Sequence, residues 1–193
     1  GVQTCALPDL MNPLINKVIL MALVLPLGAL AESAAQATVA AETSPSPCEQ
    51  DEQFREFDFW VGEWDVHDGK GTLVGENAIT REESGCVLVE RWRGVQGSSG
   101  MSINYLDRIT DEWVQIWHAA GGYQIDIRGG LTDKGMLLRG TIHYIGTGQT
   151  APFRALWTPL PDGRVRQFFE QSNDDGATWE PWFEGFYTRK PAD

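Results

Sequence analysis

Positive charge is scarce in this chain, and so are histidine and cysteine. Lys and Arg number 15 against 27 Asp and Glu, for a formal net charge of −12. A surface of that sign repels phosphate backbones and argues against a nucleic-acid partner; otherwise it serves solubility. The three histidines are His67, His118 and His143, and none has a His or Glu at helical metal-ligand spacing. No CxxC occurs among the three cysteines, so no metal site is expected from them. The apolar run from Val18 to Leu27 is too short for a bilayer, which takes roughly 20 helical residues. No window of helical length keeps a 3.6-residue apolar period. A nucleophile elbow is missing as well. Gly97-Ser98-Ser99-Gly100 lacks the strand–turn–helix context of one and reads as a flexible loop.

What is present begins with a leader. Lys17, the run from Val18 to Leu27 and the ending Ala29-Leu30-Ala31 have the form of a secretory signal peptide. Cleavage is expected after Ala31, or alternatively after Ala37, with Met11 as the start. Residues 1–31 are therefore read as upstream sequence and signal peptide, and the location as secreted or periplasmic, with no integral membrane segment in the mature chain. Cleavage removes one cation, Lys17, and one anion, Asp9, so the net charge stays at −12. Cys48 follows Ser46-Pro47 rather than a lipoprotein box, so no lipid anchor is expected. Residues 32–51, rich in Ala, Ser, Thr, Pro and Glu, read as a disordered linker, and residues 52–190 as the folded domain. Cys48 and Cys86 remain as an even pair in an oxidising compartment. They form a candidate disulfide, unless Cys86 is simply buried.

The domain is all-β by its patterning. Strands are expected over 63–68, 73–82, 86–93, 100–106, 112–119, 123–129, 136–145, 151–158, 164–172 and 178–189, after a short helical turn within 51–59. Turn signals such as Asp68-Gly69, Gly121-Gly122 and Pro161-Asp162-Gly163 separate them, and every connection is short enough for a hairpin. An antiparallel up-and-down meander of about ten strands closes on itself to remove its edges, which favours a barrel over a sandwich. Trp113, Gln115 and Trp117 share one face of their strand. The turn at 161–163 predicts that Thr158 faces Arg166, Leu156 faces Phe168 and Arg154 faces Glu170.

Polar residues set among apolar strands supply the candidate site. They are Glu90 beside Trp92, Asn104 beside Tyr105, Gln115 between Trp113 and Trp117, and the pair Arg154 and Glu170. Apolar walls with a few placed polar groups suit a small, partly polar ligand. Glu90, Trp92, Asn104, Gln115, Trp117, Arg154 and Glu170 are thus the expected ligand-binding set. The alternatives are a barrel enzyme, an isomerase or hydrolase using Glu90 and Glu170, and a structural or interaction module with a filled core. Non-enzymatic binding is preferred.

Two motifs carry resemblances. Ser172-x-Asp174-x-Gly176-x-Thr178-Trp179 resembles the Asp-box of sialidases and other β-propellers. One copy does not make a propeller, so the motif reads as a self-standing turn device. The run from Phe57 to Val66, Trp113-x-Gln115-x-Trp117, and the stretch from Leu160 through Ser172 to Trp179 resemble an uncharacterised family of secreted or periplasmic bacterial proteins, which brings no activity with it. More distantly the domain resembles the calycin group of lipocalins, fatty-acid-binding proteins and nitrobindins. That resemblance implies a barrel whose Gly62-x-Trp64 closes one end, with Arg189 of the last strand stacked across Trp64. It also implies that His118 or His143 is the residue to examine for haem ligation; otherwise no cofactor is expected.

Overall fold

Segments in which apolar and polar residues alternate put one face in contact with a core and the other with water, and ten such segments form strands here. The computed structural model describes residues 45–191. The expected leader and the linker up to residue 44 lie outside the described residues. The strands are β1 (Gly62–His67), β2 (Leu73–Glu82), β3 (Val87–Gly94), β4 (Ser99–Asp107), β5 (Glu112–Ala119), β6 (Tyr123–Thr132), β7 (Gly135–Tyr144), β8 (Gln149–Pro159), β9 (Val165–Gln171) and β10 (Glu180–Arg189). Each pairs antiparallel with the next, and β1 pairs with β10, closing the barrel. No helix among the described residues is long and apolar enough to cross a membrane.

Register follows from the turns. Between β8 and β9 the Leu160 amide donates to the Arg164 carbonyl, Asp162 accepts from the Arg164 amide, and Gly163 takes a φ of +85°. Thr158 then faces Arg166, Leu156 faces Phe168 and Arg154 faces Glu170. Between β9 and β10 the Asp-box closes on itself. Asp174 accepts from the Thr178 amide and from the hydroxyls of Ser172 and Thr178, and Ser172 Oγ accepts from the Gly176 amide. Trp179 leaves this loop to lie under the Arg154 guanidinium, 4.3 Å from its ring centroid.

One end of the barrel is plugged by aromatics from the N-terminal segment. Two 3-10 turns, Glu52–Arg55 and Asp58–Trp60, carry Phe57 and Trp60 into the base. Phe57 stacks on Trp60 at 4.9 Å and meets Trp157 and Trp113 edge-on at 5.2 and 5.7 Å. Phe57, Trp60, Trp64 and Trp157 are all fully buried. Each such ring contributes on the order of 2–3 kcal/mol. Trp64 donates its indole N–H to the Trp60 carbonyl, and Arg189, opposite it on β10, stacks 4.3 Å above its ring. The guanidinium also donates to the Val61 carbonyl. Gly62 has a φ of +140°, and a Cβ there would collide with that guanidinium, so the position needs glycine twice over.

The stretch from residue 45 to 51, expected as part of a disordered linker, is ordered. A four-residue helical turn, α1 (Pro47–Gln50), is nucleated by a capping box. Ser46 Oγ accepts from the Glu49 amide, Glu49 accepts from the Ser46 amide, and Pro47 presets the first turn. Composition alone does not register such a cap. Cys48 is bonded to Cys86 in the turn between β2 and β3, which staples this segment to the closed end.

Candidate functional site

The opposite end holds a cavity of about 160 Å³. Its walls come from inward positions near the open ends of β3, β5, β6, β9 and β10. Seven of its twelve lining residues are aromatic: Trp92, Trp117, Tyr123, Phe169, Trp182, Phe183 and Tyr187. Trp182 and Phe183 are sequence neighbours, and a regular strand would aim them at opposite faces. The register of β10 slips between Pro181 and Phe183, so Trp182 is the extra residue of a bulge and both rings reach the cavity. Trp182 stands edge-on to Tyr123 at 5.3 Å and Phe183 edge-on to Trp92 at 6.0 Å. Trp182 donates to the Tyr144 hydroxyl, which donates to Gln171. Ser98, from the loop between β3 and β4, accepts from the Trp92 indole at 3.3 Å.

Deeper in the barrel the aromatics give way to a polar network centred on Glu90. One carboxylate oxygen accepts from Asn77 Nδ2 at 2.7 Å and the other from Ser102 Oγ at 2.6 Å. Asn77 spends its second amide hydrogen on the Tyr187 hydroxyl at 3.0 Å, and Tyr187 in turn donates a hydrogen bond to Gln167 Oε1. Asn104 donates to Ser102 Oγ and to the Leu88 carbonyl, and Gln115 donates to Asn104 Oδ1 at 2.9 Å. Asn77 Oδ1 and the Trp117 indole nitrogen are buried without a partner.

Burial dominates the electrostatics here. Removal from water pushes the Glu90 carboxyl up to about 7, against the opposing pull of the Ser102 and Asn77 hydrogen bonds. Burial likewise raises the Tyr187 phenol well above its ordinary range, with the Glu90 charge acting in the same direction. Tyr123 is also raised, chiefly by burial. Among the described residues no lysine, arginine or histidine lines the cavity, and Glu90 is the one carboxyl that does.

Of the expected ligand-binding residues, Glu90, Trp92, Gln115 and Trp117 come together in this cavity. Asn104 is fully buried behind Gln115 and orients it. Arg154 and Glu170 require correction as cavity residues. Phe153, Ala155 and Trp157 are the fully buried face of β8, which turns Arg154 outward. There it forms a bidentate pair with Glu170 at 2.6 and 2.9 Å. Glu90 and Glu170 therefore do not share a site. His118 is exposed against Gln124, and His143 pairs with Thr150 at 2.9 Å; both stand on outward positions of β5 and β7. Among the described residues no group of three or more His, Cys, Asp or Glu is placed to hold a metal.

Gln167 of the cavity wall and Asn77, the hydrogen-bond partner of Glu90, escape a reading of the sequence. Asn77 and Gln167 sit in phase with buried neighbours, between Gly75 and Ile79 and between Val165 and Phe169, and that phase was the available signal. The bulge that turns Trp182 inward leaves no such trace.

Comparison of the chain with protein-family models and with curated proteins returns no match.

Proposed function

We propose that this protein is a secreted or periplasmic barrel that holds a small, partly polar molecule in the cavity above Glu90. The observation that carries this reading is the arrangement of the interior. Aromatic walls lead down to a buried carboxyl and two amide side chains, Gln115 and Gln167, with Asn77 hydrogen-bonded to that carboxyl, rather than to a filled apolar core. A volume of about 160 Å³ suits a ligand smaller than those of the roughly 300–1,000 Å³ pockets that take drug-sized molecules. The Cys48–Cys86 disulfide supports an oxidising compartment.

Trp92, Trp117 and Trp182 border the cavity, so occupancy is expected to change intrinsic fluorescence. A titration with a panel of small amphiphiles should give saturable changes that are lost when Gln115→Phe fills the floor. If no compound in the panel gives saturation, the filled-core interaction module becomes the better reading.

One observation favours a second reading. A carboxyl that titrates near 7 beside a cavity is suited to proton transfer, as in an isomerase. That reading rests on Glu90 alone and requires turnover that Glu90→Gln abolishes while binding persists.

A further inference from the structure

We propose that the ligand of this cavity is a small organic ammonium ion, its N–H groups directed at Glu90 and its hydrocarbon part against the aromatic walls. The inference rests on the reading of the cavity as a ligand site and adds the ligand's chemical class.

In the carboxylate form of Glu90 the hydrogen bonds around it leave it short of donors. Each carboxylate oxygen accepts one bond, which leaves further lone pairs on both. Asn77 has used both amide hydrogens, Ser102 its single proton, and Tyr187 its proton on Gln167. Buried acceptors without donors cost free energy, and a group with several N–H bonds relieves that cost where an alcohol with one proton does so only in part.

Charge points the same way. Among the described residues the cavity is bordered by one carboxyl and no cationic side chain, in a chain of net charge −12. An anion would be buried against Glu90. The unpartnered indole N–H of Trp117 is one neutral donor and does not offset that repulsion. Aromatic rings attract cations through their quadrupoles, and Trp92, Trp182 and Phe183 are among the residues that line the cavity.

Occupancy has a proton consequence. Near neutral pH a share of the molecules hold a proton on Glu90. The bound cation favours the carboxylate, so that proton leaves to solvent as the ion pair forms. The titratable groups facing Glu90 from other elements are the phenols of Tyr187 on β10 and Tyr123 on β6, both raised and so neutral through this range. The polar inward groups on β2, β4 and β5 are Asn77, Ser102, Asn104 and Gln115, which do not titrate.

The test compares n-butylammonium, n-butanol and butyrate by isothermal titration calorimetry with the whole protein. Measurements are made at pH 6 and pH 8 in buffers of different ionisation enthalpy. The expected result is binding of butylammonium at least about tenfold tighter than butanol, with butyrate weakest. Butylammonium affinity should rise roughly tenfold from pH 6 to pH 8, with close to one proton released per ligand at pH 6 and almost none at pH 8. Glu90→Gln should abolish the proton release and the preference for amine over alcohol. The wild-type ranking and proton count stand even if that variant folds poorly. Butanol binding as tightly as butylammonium, or no proton release at pH 6, overturns the ammonium class and leaves the ligand site intact. Failure of all three probes to bind overturns the site reading together with it.

Discussion

Glu90 is fully enclosed, yet its two hydrogen-bond donors are both neutral. Two neutral bonds do not replace the hydration of a carboxylate, and the group titrates near 7 instead of its ordinary 4.5. The linkage has a definite sign. A raised folded-state value means that Glu90 favours folding fully below the unfolded value and that this contribution is lost as pH rises through 7. The shift corresponds to on the order of 3 kcal/mol. Urea unfolding at pH 5 and pH 8 should therefore show wild type losing stability relative to Glu90→Gln at the higher pH. Equal differences at both pH values would mean that Glu90 is not buried as a lone acid. The residue also shows what a sequence conveys and withholds. Glu90 and Gln115 stood out as polar groups in apolar strands. The donors that define Glu90, Asn77 and Ser102, lie on neighbouring strands 13 and 12 residues away in the chain, so register had to be known first.

At the scale of single elements, turns were more legible than faces. The Pro161-Asp162-Gly163 turn fixes which residues of β8 and β9 oppose each other, and Arg154 does face Glu170. Which side of the sheet they occupy depends on phase, and Phe153, Ala155 and Trp157 claim the interior. The bulge in β10 was illegible because it exists only as a mismatch between two strands. Two substitutions test these elements. Asp174→Ala removes the acceptor that closes the β9–β10 loop and should lower the urea midpoint. Gly62→Ala forces an unfavourable backbone and displaces Arg189 from Trp64. It should cost about 2–3 kcal/mol and alter the near-ultraviolet circular dichroism of the Trp64 environment.

For the molecule as a whole, closure of ten strands was legible because every connection is short and a meander of that length has edges to hide. The ordered segment before residue 52 was not, because its stability comes from a cap and a bond to a distant turn rather than from composition. That bond spans 38 residues, and its loss in Cys48→Ser with Cys86→Ser should cost about 2–4 kcal/mol. Hydrogen exchange should rise first over residues 47–60, while the amides around the open end keep their protection.

The plugged base has one more consequence. Ser46 is hydrogen-bonded to Ser84 beneath the barrel, and the Lys190 amide to Glu63 at the start of β1. Both ends of the described chain thus emerge at the same pole, away from Trp92 and Trp182. A tether attached at Ser46 or at Lys190 would hold the barrel by its closed pole and leave the rim facing the bulk solution. Such tethering should leave ligand access as free as it is for the protein in solution.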